Sequence, residues 1–215
     1  MLSPELMSRL TIIVAATKAN GIGANARLPW RLPKEMKYFA QVTSNAPEGR
    51  QNAIIMGRNT WDSIPKKHRP LAKRVNIVVS RNKEYNLGSE DPSVVLTDSL
   101  DSALSLLDSS NSDSMKLYRG FVIGGATLYT ESLSRPVSST GASVGRVLLT
   151  RILSPDFSDC DVFMPDFLKP NKEGKAEWTR AAHTALQEWV GFGVPEGEQE
   201  ENGVKYEFQM WMRQS

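Results

Sequence analysis

The chain has 215 residues, of which 40% are hydrophobic and 23% are charged, and its formal net charge is +2 at pH 7. These values are ordinary for a soluble globular domain, and the even mixture of acids and bases leaves no basic footprint for nucleic acid or an anionic membrane. The single cysteine, Cys160, excludes an intrachain disulfide and favours a reducing, cytoplasmic location, while two histidines argue against a Cys/His metal site. We therefore expect a small-molecule partner and no metal.

Short β-branched segments recur along the chain and predict strands that are buried on both faces. In chain order they are "LTIIVAAT", "NAIIMG", "VNIVVS", "SVVLT", "LYRGFVIGG" and "RVLLTRI", beginning at Leu10, Asn52, Val75, Ser93, Leu117 and Arg146. Helices are predicted between them over 34–43, 59–63, 99–107 and 126–133. This alternation predicts an α/β fold with a mostly parallel sheet.

The C-terminal part of the chain has a different pattern. "WTRAAHTALQEW" and "VKYEFQMWM" show partial alternation and predict an antiparallel hairpin, with the Gly- and Glu-rich segment between them as its tip. Segments 44–51, 134–146 and 191–203 are expected to be surface insertions in one domain that spans 1–215.

The segment after the first strand, "ANGIGANARLPWRLPKEMKYF", combines a loop with a helix start. Gly21 and Gly23 permit a mobile loop, and the helix is predicted to begin near Pro33. Glu35 then lies in the first turn, where a carboxylate complements the helix dipole. It also shares a face with Phe39, and a carboxylate on an apolar face needs a cationic or donor-rich partner. Capping and a functional role both remain open for Glu35.

Polar side chains follow two predicted strands. Arg58, Asn59 and Thr60 follow the strand in "IIMGRNTW", and Ser80 and Arg81 end "VNIVVSRN". Each arginine alone is typical of a solvated surface. Together, hydroxyl and guanidinium donors at two strand ends suit a phosphate monoester and favour a phosphorylated dinucleotide, NADPH rather than NADH.

A basic turn, "KKHRPLAKRVN", places Arg74 just before the third strand. An arginine on such a turn can bind a carboxylate through two hydrogen bonds. A solvated basic turn is the alternative.

The segment "FVIGGATLY" is a buried strand that runs into Gly124 and Gly125 and then into a helix start. Without Cβ atoms, a ligand's phosphates can approach the backbone, and the helix N-terminus favours an anion. A tight strand-to-helix turn without a ligand is the other interpretation, because the fuller G-x-G-x-x-G pattern is missing.

In this order and at these spacings, the motifs resemble the dihydrofolate reductase family along nearly the whole chain. The matching segments are "IVAATKANGIGANARLPWRLPKEMKYF", "IIMGRNTWDSIP", "RPLAKRVNIVVSR", "FVIGGATLY", "LLTRI", "DCDVFMPDF" and "KYEFQMW". The long insertions before Arg146 and before Val204 are more similar to fungal members than to bacterial or vertebrate ones. The resemblance implies an eight-stranded, mainly parallel sheet with an antiparallel C-terminal hairpin and about four helices. It also implies cis peptides between Gly124 and Gly125 and before Pro70.

The same resemblance implies an activity. The chain would be an NADP-dependent oxidoreductase that acts on a CH–NH group and reduces 7,8-dihydrofolate to 5,6,7,8-tetrahydrofolate, with hydride transfer to pterin C6 and protonation at N5. The product would serve one-carbon metabolism, including thymidylate and purine synthesis. A cytoplasmic monomer that is a target of antifolates such as methotrexate is expected.

Residue roles follow from the resemblance position by position. Glu35 would bind the 2-amino group and N3 of the pterin, Thr150 would orient Glu35, Trp30 would hold an ordered water, and Leu28 would lie on the closing loop. The other expected substrate contacts are Ile13, Val14, Ala15, Met36, Phe39, Ile64, Pro65, Leu71, Arg74, Ile123 and Tyr129, with Arg74 on the α-carboxylate of the glutamate tail. The expected NADPH contacts are Ala16, Ile22, Gly23, Gly57, Arg58, Asn59, Thr60, Ser80, Arg81, Gly124, Gly125, Ala126, Thr127 and Leu128.

Some positions depart from the family pattern, and two other functions share its features. Met36 stands where many eukaryotic members have an aromatic residue, and Ala26 and Arg27 replace a more usual Gly-Asp, which bears on inhibitor selectivity and loop kinetics.

The related reductase of riboflavin synthesis shares the sheet and the NADPH site, but its substrate does not need Glu35 and Arg74. A non-catalytic folate- or nucleotide-binding regulator would share the fold.

Overall fold

The apolar segments of the sequence form the strands of one principal sheet. The computed structural model describes residues 8–109, 117–136 and 141–214. Its strands are β1 (Ser8–Thr17), β2 (Gly21–Gly23), β3 (Gln51–Gly57), β4 (Arg74–Val79), β5 (Val94–Thr97), β6 (Leu117–Gly124), β7 (Gly141–Ser154), β8 (Val162–Phe163), β9 (Trp178–Arg180), β10 (Gln199–Glu201) and β11 (Val204–Arg213). All six predicted strands are present.

The order of the strands confirms the predicted fold class. The principal sheet runs β10-β11-β7-β1-β6-β3-β4-β5, and β9 pairs with β11. Neighbours from β7 to β5 are parallel, whereas β11 is antiparallel to β7, β9 and β10. The short strands β2 and β8 form a separate antiparallel pair. This is an α/β domain with a mainly parallel sheet and antiparallel strands at its C-terminal end.

The helices alternate with the parallel strands. They are α1 (Pro33–Ser44), α2 (Arg58–Ser63), α3 (Leu100–Ser109), α4 (Ala126–Ser134) and α5 (His183–Val190), with a 3-10 turn at Lys66–His68. The first four correspond to the four predicted helices. In the part of the chain described, no helix is long and apolar enough to cross a membrane.

The segments that form the C-terminal hairpin differ from those predicted. The segment 178–189 is predicted as one hairpin strand, but only its first three residues are extended, and α5 occupies most of the rest. The helix forms because Leu186 and Val190, four residues apart, bury one face against the core. Gly191, in the left-handed conformation at φ 80°, ends it. The observed hairpin joins β10 to β11 through Asn202 and Gly203 instead.

The three expected insertions lie between or beside regular elements. Residues 45–50 connect α1 to β3, and β10 occupies part of 191–203. Of the segment 134–146, residues 137–140 lie outside the described residues, and β7 begins at Gly141.

Both faces of the sheet are covered by buried side chains. Ile12 and Ile55 belong to a core cluster on one side with Leu100 of α3, and their neighbours Ile13 and Ile54 belong to a second cluster. The alternation explains why the strand sequences are apolar throughout. Because β1, β3, β4 and β6 are parallel, their carboxyl ends meet at one edge of the sheet, where ligands bind in open α/β folds.

The backbone contains both cis peptides that the resemblance implies. They join Gly124 to Gly125 and Arg69 to Pro70, and a third, between Ser154 and Pro155, was not expected.

Candidate active site

A buried carboxylate lies in a cleft at the start of α1. The cleft has a volume of ≈ 250 Å³ and is lined by Leu28, Trp30, Arg31, Leu32, Pro33, Glu35 and Met36. Glu35 is only 6% exposed, although a carboxylate that merely caps a helix is normally solvated. Thr150 Oγ1, on β7, donates a hydrogen bond to Glu35 Oε1 over 3.1 Å. Leu28 and Met36 are exposed hydrophobic side chains that line the same cleft.

Burial determines the acidity of Glu35. Burial, and to a smaller extent the charge of Glu201, raise the pKa of this carboxyl group to about 7, against the opposing effect of the Thr150 hydrogen bond. In turn, burial and the charge of Glu35 both raise the pKa of Tyr38 and of Tyr129. At neutral pH, Glu35 therefore exists in both protonated and ionised forms, so it can give or take a proton.

Trp30 brings a buried donor to this cleft. Its side chain is 6% exposed and packs edge-on against Phe157, with ring centroids 5.3 Å apart. Among the described residues, its indole Nε1 has no hydrogen-bond partner. A buried N–H group of this kind is suited to a ligand or an ordered water.

Four elements, β1, β6, β7 and α4, converge beside the carboxylate. Ala15 on β1 lies opposite Thr150 on β7 in the parallel register. The Tyr129 hydroxyl of α4 donates to the Ile13 carbonyl over 3.3 Å. A Cβ atom on Gly124 would lie 3.4 Å from the same hydroxyl. The end of β6, the centre of β1 and the first turn of α4 are thus in contact.

The other expected pocket residues lie on or near this side of the sheet. Phe39, Ile64, Leu71, Ile123 and Ala15 are partly buried and pack against the core cluster that contains Ile13 and Trp30. Val14 and Ala16 point instead into the opposite cluster, and Pro65 is exposed. Because the side chains of Val14 and Ala16 point away from Glu35, only their backbone atoms can contact a ligand on the Glu35 side.

Arg74 is a buried cation at the start of β4. It is 6% exposed, and burial lowers its pKa. Its Nη1 donates to Thr43 Oγ1 over 2.6 Å and its Nε to the Ala72 carbonyl over 2.9 Å. Among the described residues, no acid forms an ion pair with it. A guanidinium held in place without a counter-ion is a natural receptor for a carboxylate.

The ends of β3 and β6 approach each other through glycines. A Cβ on Gly57 would lie 3.8 Å from the Gly125 nitrogen, and a Cβ on Gly124 or Gly125 would lie 3.3 or 3.4 Å from Thr60 Oγ1. Helix α4 begins after Gly125 without a side-chain cap. The first N–H groups of α4, at Ala126, Thr127 and Leu128, therefore have no acceptor within the helix.

The ends of β3 and β4 carry the expected polar donors. Gly57 and Val79 are opposite each other in the parallel register, so the residues that follow these strands are neighbours. Arg58 and Arg81 are exposed, and neither forms an ion pair within the described residues. The Arg58 guanidinium lies 5.9 Å from the centre of the Tyr85 ring. Asn59 is also exposed, and Ser80 is buried at 7% exposure.

Comparison with known proteins decides the family. The family model described as Dihydrofolate reductase matches residues 9–213. This chain belongs to the dihydrofolate reductase family.

Similar proteins share nearly the full length of the chain. A dihydrofolate reductase of Cryptococcus neoformans is 47% identical over 94% of each chain, and one of Pneumocystis carinii is 41% identical over 95% of this chain and 96% of its own. The solved structure of Schistosoma mansoni dihydrofolate reductase matches with a TM-score of 0.73 and 30% identity, covering 96% of this chain and 99% of that one. The two fungal relatives agree with the fungal character expected from the insertions.

The loop between β1 and α1 is attached to a distant segment of the chain. The Gly23 carbonyl accepts a hydrogen bond from the Asp161 backbone over 3.0 Å, and the Asp161 side chain accepts one from the Asn25 backbone over 2.9 Å. Ile22 is partly buried against the cluster that contains Ala16. The loop is thus anchored at Asp161, the residue directly before β8.

Two contacts of the site were not predicted from the sequence. Asn76, fully buried in β4, binds both backbone groups of Leu71 and fixes the turn before Arg74. A polar residue inside the apolar segment "VNIVVS" is a signal that could have revealed it. Glu201 contacts the start of α1 from 167 residues away, and no local pattern indicates such a contact. Among the described residues, no group of three or more His, Cys, Asp or Glu side chains is placed to hold a metal.

Proposed function

We propose that this protein is an NADPH-dependent enzyme that reduces 7,8-dihydrofolate to 5,6,7,8-tetrahydrofolate. Membership of the dihydrofolate reductase family supports the reaction class. The observation that carries the proposal is Glu35, a buried carboxyl group in a cleft, bonded to Thr150 and paired with no cation among the described residues. Such a group needs a donor-rich partner, and the partner we propose is the substrate.

The pterin edge supplies that partner. Its 2-amino group and N3 are two adjacent donors, which match the two oxygens of one carboxylate. Thr150 occupies one oxygen through its hydroxyl and so limits rotation of the carboxyl group. We assign Glu35 to binding and orienting the pterin, with the apolar residues around Phe39 and Leu71 enclosing the next ring.

Proton delivery is the second role of Glu35. The C6=N5 imine of dihydrofolate is a poor hydride acceptor until N5 is protonated. A carboxyl group with a pKa of about 7 is partly protonated at neutral pH and can supply that proton. The carboxyl group binds the far edge of the ring, so we propose that a water at the Trp30 indole N–H carries the proton to N5. The unpartnered Nε1 of Trp30 supports this assignment.

The tail of the substrate has a separate binding group. The buried guanidinium of Arg74 is held by Thr43 and Ala72, which leaves its remaining N–H donors for a carboxylate. We assign it the α-carboxylate of the glutamate.

The residues at the strand ends fit NADPH. Close approach of the Gly57 and Gly125 backbones and the uncapped start of α4 suit the pyrophosphate. Arg58 and Arg81, together with the hydroxyls of Thr60 and Ser80, suit a 2′-phosphate. When bound, NADPH supplies the hydride that adds to C6, while the protein orients the substrate and supplies the proton.

A direct assay tests the proposal. Oxidation of NADPH by the purified chain in the presence of dihydrofolate is expected to be fast, to be much slower with NADH, and to stop with methotrexate. Tight NADPH binding without turnover would refute it and favour the riboflavin-type or regulatory alternative. We further propose a cytoplasmic monomer whose product serves one-carbon metabolism; sedimentation at micromolar concentration tests the oligomeric state.

A further inference from the structure

We infer that Glu201, on the C-terminal hairpin, is a positioning residue that holds the start of α1 and sets the location and charge environment of Glu35. The inference rests on the function proposed above and adds a specific residue to it. Through Glu201, the β10–β11 hairpin, part of which was expected to be only a surface insertion, takes a role in the reaction.

The contact is a helix cap supplied from a distant strand. Both carboxylate oxygens of Glu201 accept a hydrogen bond from the Lys34 backbone N–H, each over 3.0 Å. The residue at the N-cap position of α1 is Leu32, which has no side chain able to cap. An acidic acceptor at a helix N-terminus satisfies free N–H groups and complements the dipole. Glu201 therefore caps the N-terminus of α1, as a Ser or Asp at the N-cap position does in other helices.

A second bond fixes the same segment. The Asn202 side-chain amide donates to the Arg31 carbonyl over 2.8 Å. The turn of the β10–β11 hairpin thus binds both residues that flank Leu32 and Pro33. Arg31, Leu32 and Pro33 line the cleft, and Glu35 follows Lys34 directly in the chain. A displacement of the hairpin would move the carboxyl group that we assign to the pterin.

The electrostatic effect of Glu201 acts in the same place. After burial, its charge is a cause of the raised pKa of Glu35, and it also raises the pKa of Tyr206 on β11. The other groups that interact with Glu35 are Thr150 of β7, Tyr38 of α1, Tyr129 of α4 and Tyr206 of β11. Of the described groups around Glu35, only Glu201 is a second carboxylate. Its removal therefore lowers the pKa of Glu35, because the ionised form loses a repulsive neighbour.

Two substitutions separate charge from capping. Glu201→Gln removes the charge but keeps a carbonyl oxygen that can accept the Lys34 bond, whereas Glu201→Ala removes both. Glu200→Gln is the matched control, since Glu200 is an exposed carboxylate on the same strand that forms no bond to α1. All variants are made in the full chain.

The test compares the pH dependence of turnover with NADPH and dihydrofolate, and the titration of the Glu35 carboxyl carbon by NMR in the ligand-free protein. For Glu201→Gln we expect both midpoints to fall by on the order of half a pH unit, about a threefold loss of turnover on the alkaline limb. Glu201→Ala is expected to add a higher KM and a lower thermal midpoint, because α1 loses its cap.

The outcomes distinguish the two proposals. If the unmodified chain is active and Glu201→Gln has the same two midpoints as Glu200→Gln, Glu201 is a structural cap only and the inference is wrong. If the unmodified chain does not reduce dihydrofolate, the proposed function fails, while the NMR titration still decides whether Glu201 controls Glu35.

Discussion

Burial of the Glu35 carboxyl group links the stability of this protein to pH. Its pKa is about 7 in the folded chain and 4.5 ordinarily. Between these two pH values, the folded protein keeps a proton that the unfolded chain has lost. The stability contributed by that proton is complete below about pH 4.5 and is lost as the pH rises to about 7.

Substitution of Glu35 makes this effect measurable. Glu35→Gln cannot titrate, so the free energy of unfolding of the unmodified chain, relative to this variant, is expected to fall by about 2–3 kcal/mol between pH 4.5 and 7. Urea unfolding at a series of pH values measures it. Equal pH dependence in the two proteins would mean that Glu35 is not buried as a protonated acid.

Arg74 allows a prediction about one part of the substrate. Arg74→Leu is expected to raise KM for dihydrofolate by about tenfold or more with little change in kcat, because the lost charged hydrogen bonds lie far from the reacting atoms. A reduced pterin that lacks the glutamate tail is the control and should show no such change. An equal effect on both substrates would place Arg74 in the fold rather than in recognition of the tail.

At the scale of elements, the pair formed by β2 and β8 depends on a missing side chain. A Cβ atom on Gly21 would lie 2.6 Å from Cys160 Sγ and 3.1 Å from Thr17 Oγ1. The Gly21 backbone also donates to that Thr17 hydroxyl over 2.9 Å. Close packing here anchors the loop that leads from β1 into the cleft.

Gly21→Ala is therefore expected to destabilise the protein by about 1–3 kcal/mol through overpacking. Thermal or urea unfolding measures this, with Gly193→Ala as the control, because a Cβ at Gly193 meets its nearest atom at 3.7 Å. The addition of Cys160→Gly should restore part of the loss. A Gly21→Ala protein as stable as the control would contradict the packing described.

The predicted and observed elements differ where local pattern and tertiary packing compete. The parallel strands were predictable because a strand covered on both faces is apolar throughout, as in the segment that becomes β3. Apolar and polar residues partly alternate in the segment that becomes α5, which is typical of a strand. The segment is nevertheless helical, because the helix buries Leu186 and Val190 on one face. The cap from Glu201 depends on where the hairpin docks, which no local spacing encodes.

At the scale of the whole molecule, topology explains how much of the site was predictable. The parallel order of β1, β3, β4 and β6 brings their carboxyl ends to one edge, so the glycines and donors that follow these strands could be expected together. The sequence left Glu35 and Arg74 undecided between a solvated role and a buried one. The three-dimensional packing decides between these roles, because it leaves Glu35 and Arg74 each about 6% exposed.

The two core clusters, one on each face of the sheet, differ in their relation to the cleft. No described residue of the cluster on the α3 and α4 side lines the cleft, whereas the cluster on the α1 side reaches it through Trp30 and Leu32. An apolar surface that continues from the core into a cleft is typical of a small-molecule site with a few fixed polar groups.

In the proposed mechanism, Glu35 acts directly on the substrate. The most direct test of this role compares Glu35→Gln with the unmodified chain at pH 7, measuring NADPH and folate binding by tryptophan fluorescence and turnover by NADPH oxidation. We expect both ligands still to bind, folate about tenfold more weakly because the amide keeps only one acceptor oxygen. Turnover is expected to fall by about a hundredfold or more, since the variant supplies no proton. Unchanged turnover would contradict the account.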